Sequence, residues 1–152
     1  MIIIKKINVN RLIIAFFLLI IISSANSTKV RAQCNPEVYS LNCIEKIKEG
    51  FVYMKSYNVD GHNGSKDIVE YTAVFSKDAI YFLNICTESN DVDGIILTIY
   101  DSKRDPVTSN KIDKELLQEL EFKCKVTGIY YLTFTFREPR RSCGGCVLTL
   151  KK

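Results

Sequence analysis

The 152-residue chain has no tryptophan and a single histidine, and its first 32 residues contain no Asp or Glu. Each absence excludes something. Without indole rings the chain lacks the broad flat platforms on which sugars stack best. His62 is the only imidazole and there is only one CxxC, so the ligands of a structural zinc site are missing. His62 lies in a Gly/Asn-rich stretch and no Gly-x-Ser-x-Gly elbow occurs, which leaves nucleophilic hydrolysis without a constellation. The apolar run at 12–22 has eleven residues, against the ~20 that a membrane-crossing helix needs.

The acid-free opening has the tripartite order of a secretory signal. Lys5, Lys6 and Arg11 precede the apolar run, and small and polar residues follow at 23–27. Ala25-Asn26-Ser27 offers small side chains at both recognition positions, so the signal is read as 1–27; Val30-Arg31-Ala32 would place cleavage as late as 32. Arg31 and Gln33 do not fit a lipobox before Cys34. The formal charge of +4 belongs to this segment: residues 33–152 carry 16 basic and 17 acidic side chains, a net −1, and cleavage after 27 leaves +1. A near-neutral domain offers no field for nucleic acid or anionic lipid, and membrane contact is expected only through an uncleaved signal. The expected location is the periplasm or the extracellular space. Ile-, Lys- and Asn-rich usage fits a low-GC bacterial source.

Export makes the cysteines legible as a disulfide framework rather than as metal ligands. Cys34 and Cys43 flank a short segment and are expected to pair. Cys86, Cys124, Cys143 and Cys146 then allow three pairings, of which Cys86–Cys124 with Cys143–Cys146 is preferred.

Residues 28–152 read as one disulfide-stabilised domain. Asn35-Pro36-Glu37 is a helix start, with a capping residue, proline at the first helical position and an acid near the positive dipole end. Val38, Leu41, Ile44 and Ile47 follow on one face, and Gly50 supplies a stop, which predicts a helix over about 36–49. Beyond Gly50 the period becomes two. Strands are predicted at 51–57, 68–75, 80–86, 95–100, 120–126, 129–136 and 147–150, while 111–119 fits a helical turn or a loop. Leu120, Phe122, Cys124 and Val126 alternate with Glu121, Lys123 and Lys125, the mark of a strand with one wet face. Many short strands separated by turn signals predict a mainly β fold, an antiparallel jelly-roll-like β-sandwich with one short N-terminal helix.

Three segments carry a resemblance: Ala79-Ile80-Tyr81-Phe82-Leu83, Asp93-Gly94-Ile95-Ile96-Leu97-Thr98-Ile99-Tyr100-Asp101, and Thr127-Gly128-Ile129-Tyr130-Tyr131-Leu132. With Val147-Leu148-Thr149-Leu150 as a closing strand, residues 71–150 resemble the bacterial pre-peptidase C-terminal domains. That resemblance implies a secreted sandwich acting as an accessory module without catalytic residues. The six cysteines and the helical opening depart from the family pattern.

Cys143-Gly144-Gly145-Cys146 is the sharpest local motif. A redox CxxC places its first thiol at a helix N-terminus, whereas strand-like Val147-Leu148-Thr149-Leu150 follows here, which favours a structural bridge across a glycine turn. Glu88, Asp91 and Asp93 are the candidate ligands for calcium, although Ser89 and Tyr100 occupy the positions where an EF-hand loop has Asp and Glu. No other cofactor is implied. Tyr130, Leu132, Phe134 and Phe136 read as core, and Tyr131 as exposed on the opposite face with Thr133 and Thr135. Tyr131 with the basic loop of Arg137, Arg140 and Arg141 forms the candidate interaction surface. The function expected is a non-catalytic binding or accessory module, with an envelope or extracellular protein or a glycan as partner. The alternatives are a thiol-disulfide protein using Cys143 and Cys146, and a structural envelope component.

Overall fold

Period-two alternation is realised as two four-stranded antiparallel sheets packed face to face. The strands are β1 (Phe51–Asp60), β2 (Ile68–Phe75), β3 (Ile80–Cys86), β4 (Ile95–Tyr100), β5 (Pro106–Ser109), β6 (Lys111–Ile112), β7 (Glu115–Leu116), β8 (Glu119–Lys123), β9 (Gly128–Phe136) and β10 (Cys143–Lys151). One sheet has the order β1-β10-β3-β8 and the other β2-β9-β4-β5; β6 and β7 form a separate two-stranded ribbon. The computed structural model describes residues 34–87, 94–138 and 142–152, all within a unit spanning Cys34–Lys152. The expected signal segment and its cleavage sites lie outside the described residues, as do Glu88, Asp91, Asp93, Arg140 and Arg141.

The core is what the alternation predicts. Tyr57 and Val59 of β1, Leu83 and Ile85 of β3, Leu97 and Ile99 of β4, and Leu132 and Phe134 of β9 all bury their side chains between the sheets. Phe75 anchors one end, with ring centroids 4.4 Å from Tyr81, 5.2 Å from Phe122 and 5.4 Å from Tyr130. Full burial of one such ring contributes about 2–3 kcal/mol. The expected wet face of β8 is also present: Leu120 and Phe122 are buried while Glu121 and Lys123 are exposed. That strand stops at Lys123, and Val126 is exposed.

Asn110 closes the edge of the second sheet from inside. Fully buried after β5, its Oδ1 accepts from Leu97 N–H at 2.8 Å, and its Nδ2 donates to the carbonyls of Ile95 (3.2 Å) and Leu117 (3.0 Å). One amide side chain thus satisfies backbone groups of two segments that do not pair with each other.

Four expectations about local structure are corrected. The 101–110 stretch, for which no strand is predicted from the sequence, contains β5, and the 111–119 stretch holds the β6–β7 ribbon at 111–116 and the first residue of β8. The helix, α1, spans Pro36–Ile44 and stops well before Gly50. Its C-terminal end is tied by the Cys43–Cys86 disulfide, and 3-10-type bonds from Lys46 N–H to Cys43 and from Ile47 N–H to Ile44 swing Ile47 down onto the buried Cys43–Cys86–Val147 cluster. The buried face of α1 is also different from the apolar stripe. Ser40 and Cys43 point inward, whereas Val38 and Leu41 are exposed, Leu41 by 62%. The disulfides set that rotation.

Candidate functional site

The cysteine framework is Cys34–Cys143 and Cys43–Cys86, and Cys124 and Cys146 are free and buried. All three expected pairings are therefore wrong, for reasons of reach. Cys43 lies in α1, nine positions on from Cys34, and at 1.5 Å per residue the two are about 13 Å apart, beyond the ~7 Å limit for bridged Cα atoms. Cys86 ends β3, whereas Cys124 N–H bonds to Ala79 at the other end of that strand, about 20 Å away. Cys143 and Cys146 lie in one extended strand, so they are about 10 Å apart on opposite faces.

The CGGC motif is thus the start of β10 and not a glycine turn. Its two faces have different jobs. Cys143, Gly145 and Val147 face α1, while Gly144, Cys146 and Leu148 face the sandwich. A Cβ on Gly145 would lie 2.4 Å from the backbone nitrogen of Ser40, and one on Gly144 would lie 2.6 Å from Ile95 Cδ1. The glycines seat a helix on one side and close the core on the other. Burial pushes the Cys146 thiol well above its ordinary pKa, which removes the thiolate that redox exchange requires. Burial, and then the neighbouring Cys146, push Tyr57 up to about 12. Burial, and then a hydrogen bond with Cys124, push Tyr130 up to about 12. The thiol-disulfide reading of Cys143 and Cys146 has no geometric support.

The best-formed polar constellation lies on the outer face of the β2-β9-β4-β5 sheet. Strand register brings Glu70 opposite Thr133 and Thr72 opposite Tyr131, with Thr98 and Tyr100 of β4 on their far side. Over this face reaches Arg104, from the turn between β4 and β5. Asp101 organises that turn: its Oδ1 accepts from Lys103 N–H (2.8 Å) and Asp105 N–H (3.0 Å), and its carbonyl accepts from Arg104 N–H (3.0 Å). Arg104 itself adopts φ 71°, a left-handed conformation that costs a non-glycine residue about 1 kcal/mol or more. From there its guanidinium lies 3.5 Å over the Tyr131 ring and donates from Nη1 to Glu70 Oε2 at 2.6 Å. Thr133 Oγ1 donates to the same oxygen at 2.9 Å. The hydrogen bond from Arg104 is the main reason the Glu70 carboxyl is held below the usual range, and Glu70 in turn raises Arg104.

Of the sequence-predicted surface, Tyr131 belongs to this site and Arg137 does not join it. Arg137 follows β9 at its far end, where its N–H bonds to Gly94 and its Nη2 donates to the carbonyl of Lys114 at 3.0 Å. Arg104 and Glu70 carry no local signal that singles them out. Only the pair of aspartates, Asp101 and Asp105, bracketing a tight turn hinted at an organised loop. His62 stands apart, half-exposed, with Nδ1 2.8 Å from Asp60 Oδ2. Among the described residues no group of three or more His, Cys, Asp or Glu side chains is placed to hold a metal ion. No helix among them is long and apolar enough to cross a membrane.

No family model matches the chain, and no curated protein matches it in sequence. Among solved structures, the chain is distantly similar to PliG, a periplasmic lysozyme inhibitor of g-type lysozyme from Aeromonas hydrophila. Identity is 14% and the TM-score 0.41, over 67% of this chain and 85% of that one.

Proposed function

We propose that this chain is an exported, non-catalytic binding module that docks a protein partner on the outer face of the β2-β9-β4-β5 sheet, centred on Arg104. One observation carries the reading: the turn organised by Asp101 holds Arg104 at a φ of 71°, with its guanidinium 3.5 Å over the Tyr131 ring and bonded to Glu70. Strain of this kind clusters at functional sites, and pre-ordered Arg and Tyr side chains are the residues that dominate protein interfaces. The Arg104 side chain remains 54% exposed, and Ile129 (52%) and Val74 (69%) border the patch. A polar centre with an apolar margin on a rigid sheet needs little reordering on binding.

A protein partner is favoured over a glycan. The ring face of Tyr131 that a sugar would stack on is already occupied by the guanidinium at 3.5 Å. Two disulfides support export, since such bridges persist in oxidising compartments. The resemblance to pre-peptidase C-terminal domains points the same way, toward an accessory module.

The test is site-specific photo-crosslinking in the native envelope. A photoreactive residue at Ile129 should give a discrete protein adduct that weakens at least tenfold with Arg104→Ala, whereas one at Glu121 on the opposite sheet should give none. Equal adducts from both positions, or adducts indifferent to Arg104→Ala, would refute the assignment.

A further inference from the structure

The two main sheets present four edges, and three of them carry a device that blocks strand addition. β1 has a register break between Tyr53 and Lys55 and a lysine at the break. β8 is five residues long and carries Glu119, Glu121 and Lys123. β5 is four residues long, opens on Pro106, and its register against β4 is broken. β2 has no register break, no proline and no lysine, and its one charged side chain, Glu70, is tied to Arg104 within the chain. Its eight residues pair with β9 without a register break, and they include no Pro, Gly, Lys or Arg. No described residue pairs with its other edge.

We infer that β2 is a dimerisation edge, and that its occupant is the β2 of a second copy of this chain, paired antiparallel about a two-fold axis at Tyr71. The side chains of β2 are self-complementary in that register and in no neighbouring one. On the outer face, Ile68 (58% exposed) of each copy meets Val74 (69%) of the other, and Glu70 meets Thr72. Val74 already neighbours Ile129 within the sheet, so Ile68 of the second copy completes an apolar strip at each end of the junction. A shift that centres the axis on Glu70 would put two carboxylates face to face; a shift to Thr72 would leave Ile68 against Ser76.

Such pairing builds one continuous eight-stranded sheet from two four-stranded ones. Both Arg104 sites then lie on the same face, which makes the proposed binding surface bivalent. The pairing itself does not rest on that reading, because sedimentation of the isolated protein reports it without any partner.

Sedimentation velocity on the full exported chain, from low to high micromolar concentration, should show a reversible monomer–dimer equilibrium. Thr72 is exposed on the outer face, so it can be changed without touching the core. Thr72→Glu sets a second carboxylate opposite Glu70 at two symmetric places and should weaken dimerisation about tenfold. Thr72→Lys sets an ammonium there and should keep or tighten the dimer. Ile68→Lys, with thermal melting as the check on folding, should weaken it to a similar degree. A wild-type chain that stays monomeric at the highest concentration overturns the inference. So does a dimer to which the sign of the charge at position 72 makes no difference.

Discussion

Replacing Gly145 with alanine tests the central reassignment, in which the CGGC motif seats a helix. The added Cβ would lie 2.4 Å from the Ser40 backbone nitrogen, 2.4 Å from its Oγ and 2.7 Å from its Cα. The hydroxyl can rotate away; the nitrogen and Cα cannot, because they belong to α1. Restoring ordinary contact requires the helix to lift by about 1 Å. The bridges Cys34–Cys143 and Cys43–Cys86 tie down both sides of Ser40 and resist that movement. Overpacking of this kind costs about 1–3 kcal/mol, and the lower chain entropy of unfolded alanine offsets about 0.5 kcal/mol of it. At about 4 °C per kcal/mol, Gly145→Ala should lower Tm by roughly 2–10 °C. Gly128 is the control, since a Cβ there meets nothing within 4 Å, and Gly128→Ala should hold stability within about 0.5 kcal/mol. Adding Ser40→Ala to Gly145→Ala should recover little, because the backbone atoms that clash remain. Thermal melts of the four proteins by circular dichroism decide the matter. Gly145→Ala melting together with Gly128→Ala would refute the seating argument.

Three further outcomes follow from the same geometry. Thiol titration should find no reactive cysteine in the folded protein and two after denaturation, and peptide mapping should recover Cys34–Cys143 and Cys43–Cys86, with Cys124 and Cys146 alkylated only when unfolded. Asn110→Ala leaves the Leu97 N–H and the Ile95 and Leu117 carbonyls without their side-chain partner, and at roughly 1 kcal/mol for each group it should cost about 3 kcal/mol in urea unfolding. Because the Glu70 pKa is lowered in the folded state, its pairing with Arg104 stabilises the fold above the ordinary Glu value of ~4.3 and is lost as pH falls through the lowered value. The stability gap between wild type and Glu70→Gln should therefore be flat near neutrality and shrink in acid; a gap that grows in acid would reverse the sign of the argument.

The strands at 68–75 and 95–100 coincide with the sequence reading because each has one face turned into the core, and burial on one face imposes the alternation directly; 80–86 coincides as an apolar run whose last residues are buried on both faces, the outer one beneath α1. β5 escaped because an edge strand with Pro106, Thr108 and Ser109 buries too little to show a pattern. The helix face was misread for a different reason. Val38, Leu41, Ile44 and Ile47 have helical spacing, but two covalent ties and a glycine-lined seat at Gly145 outweigh the transfer energy of two exposed aliphatic side chains.

The pairing of Cys34 with Cys43 could have been rejected from the sequence. A helix starting at Pro36 and a bridge between Cys34 and Cys43 are mutually exclusive at 1.5 Å per residue. The same logic applies to Cys143 and Cys146 once 143–151 is read as one strand, and two adjacent glycines were what concealed it. Glycine there looked like a turn because its freedom of φ is its commonest use; its second use, allowing close approach of another backbone, leaves no mark on local sequence. The Arg104 site was illegible on stronger grounds. Arg104 and Glu70 are 34 residues apart, and they meet only because β9 lies between β2 and β4. Nothing short of the strand order brings that guanidinium, that ring and that carboxylate onto one face.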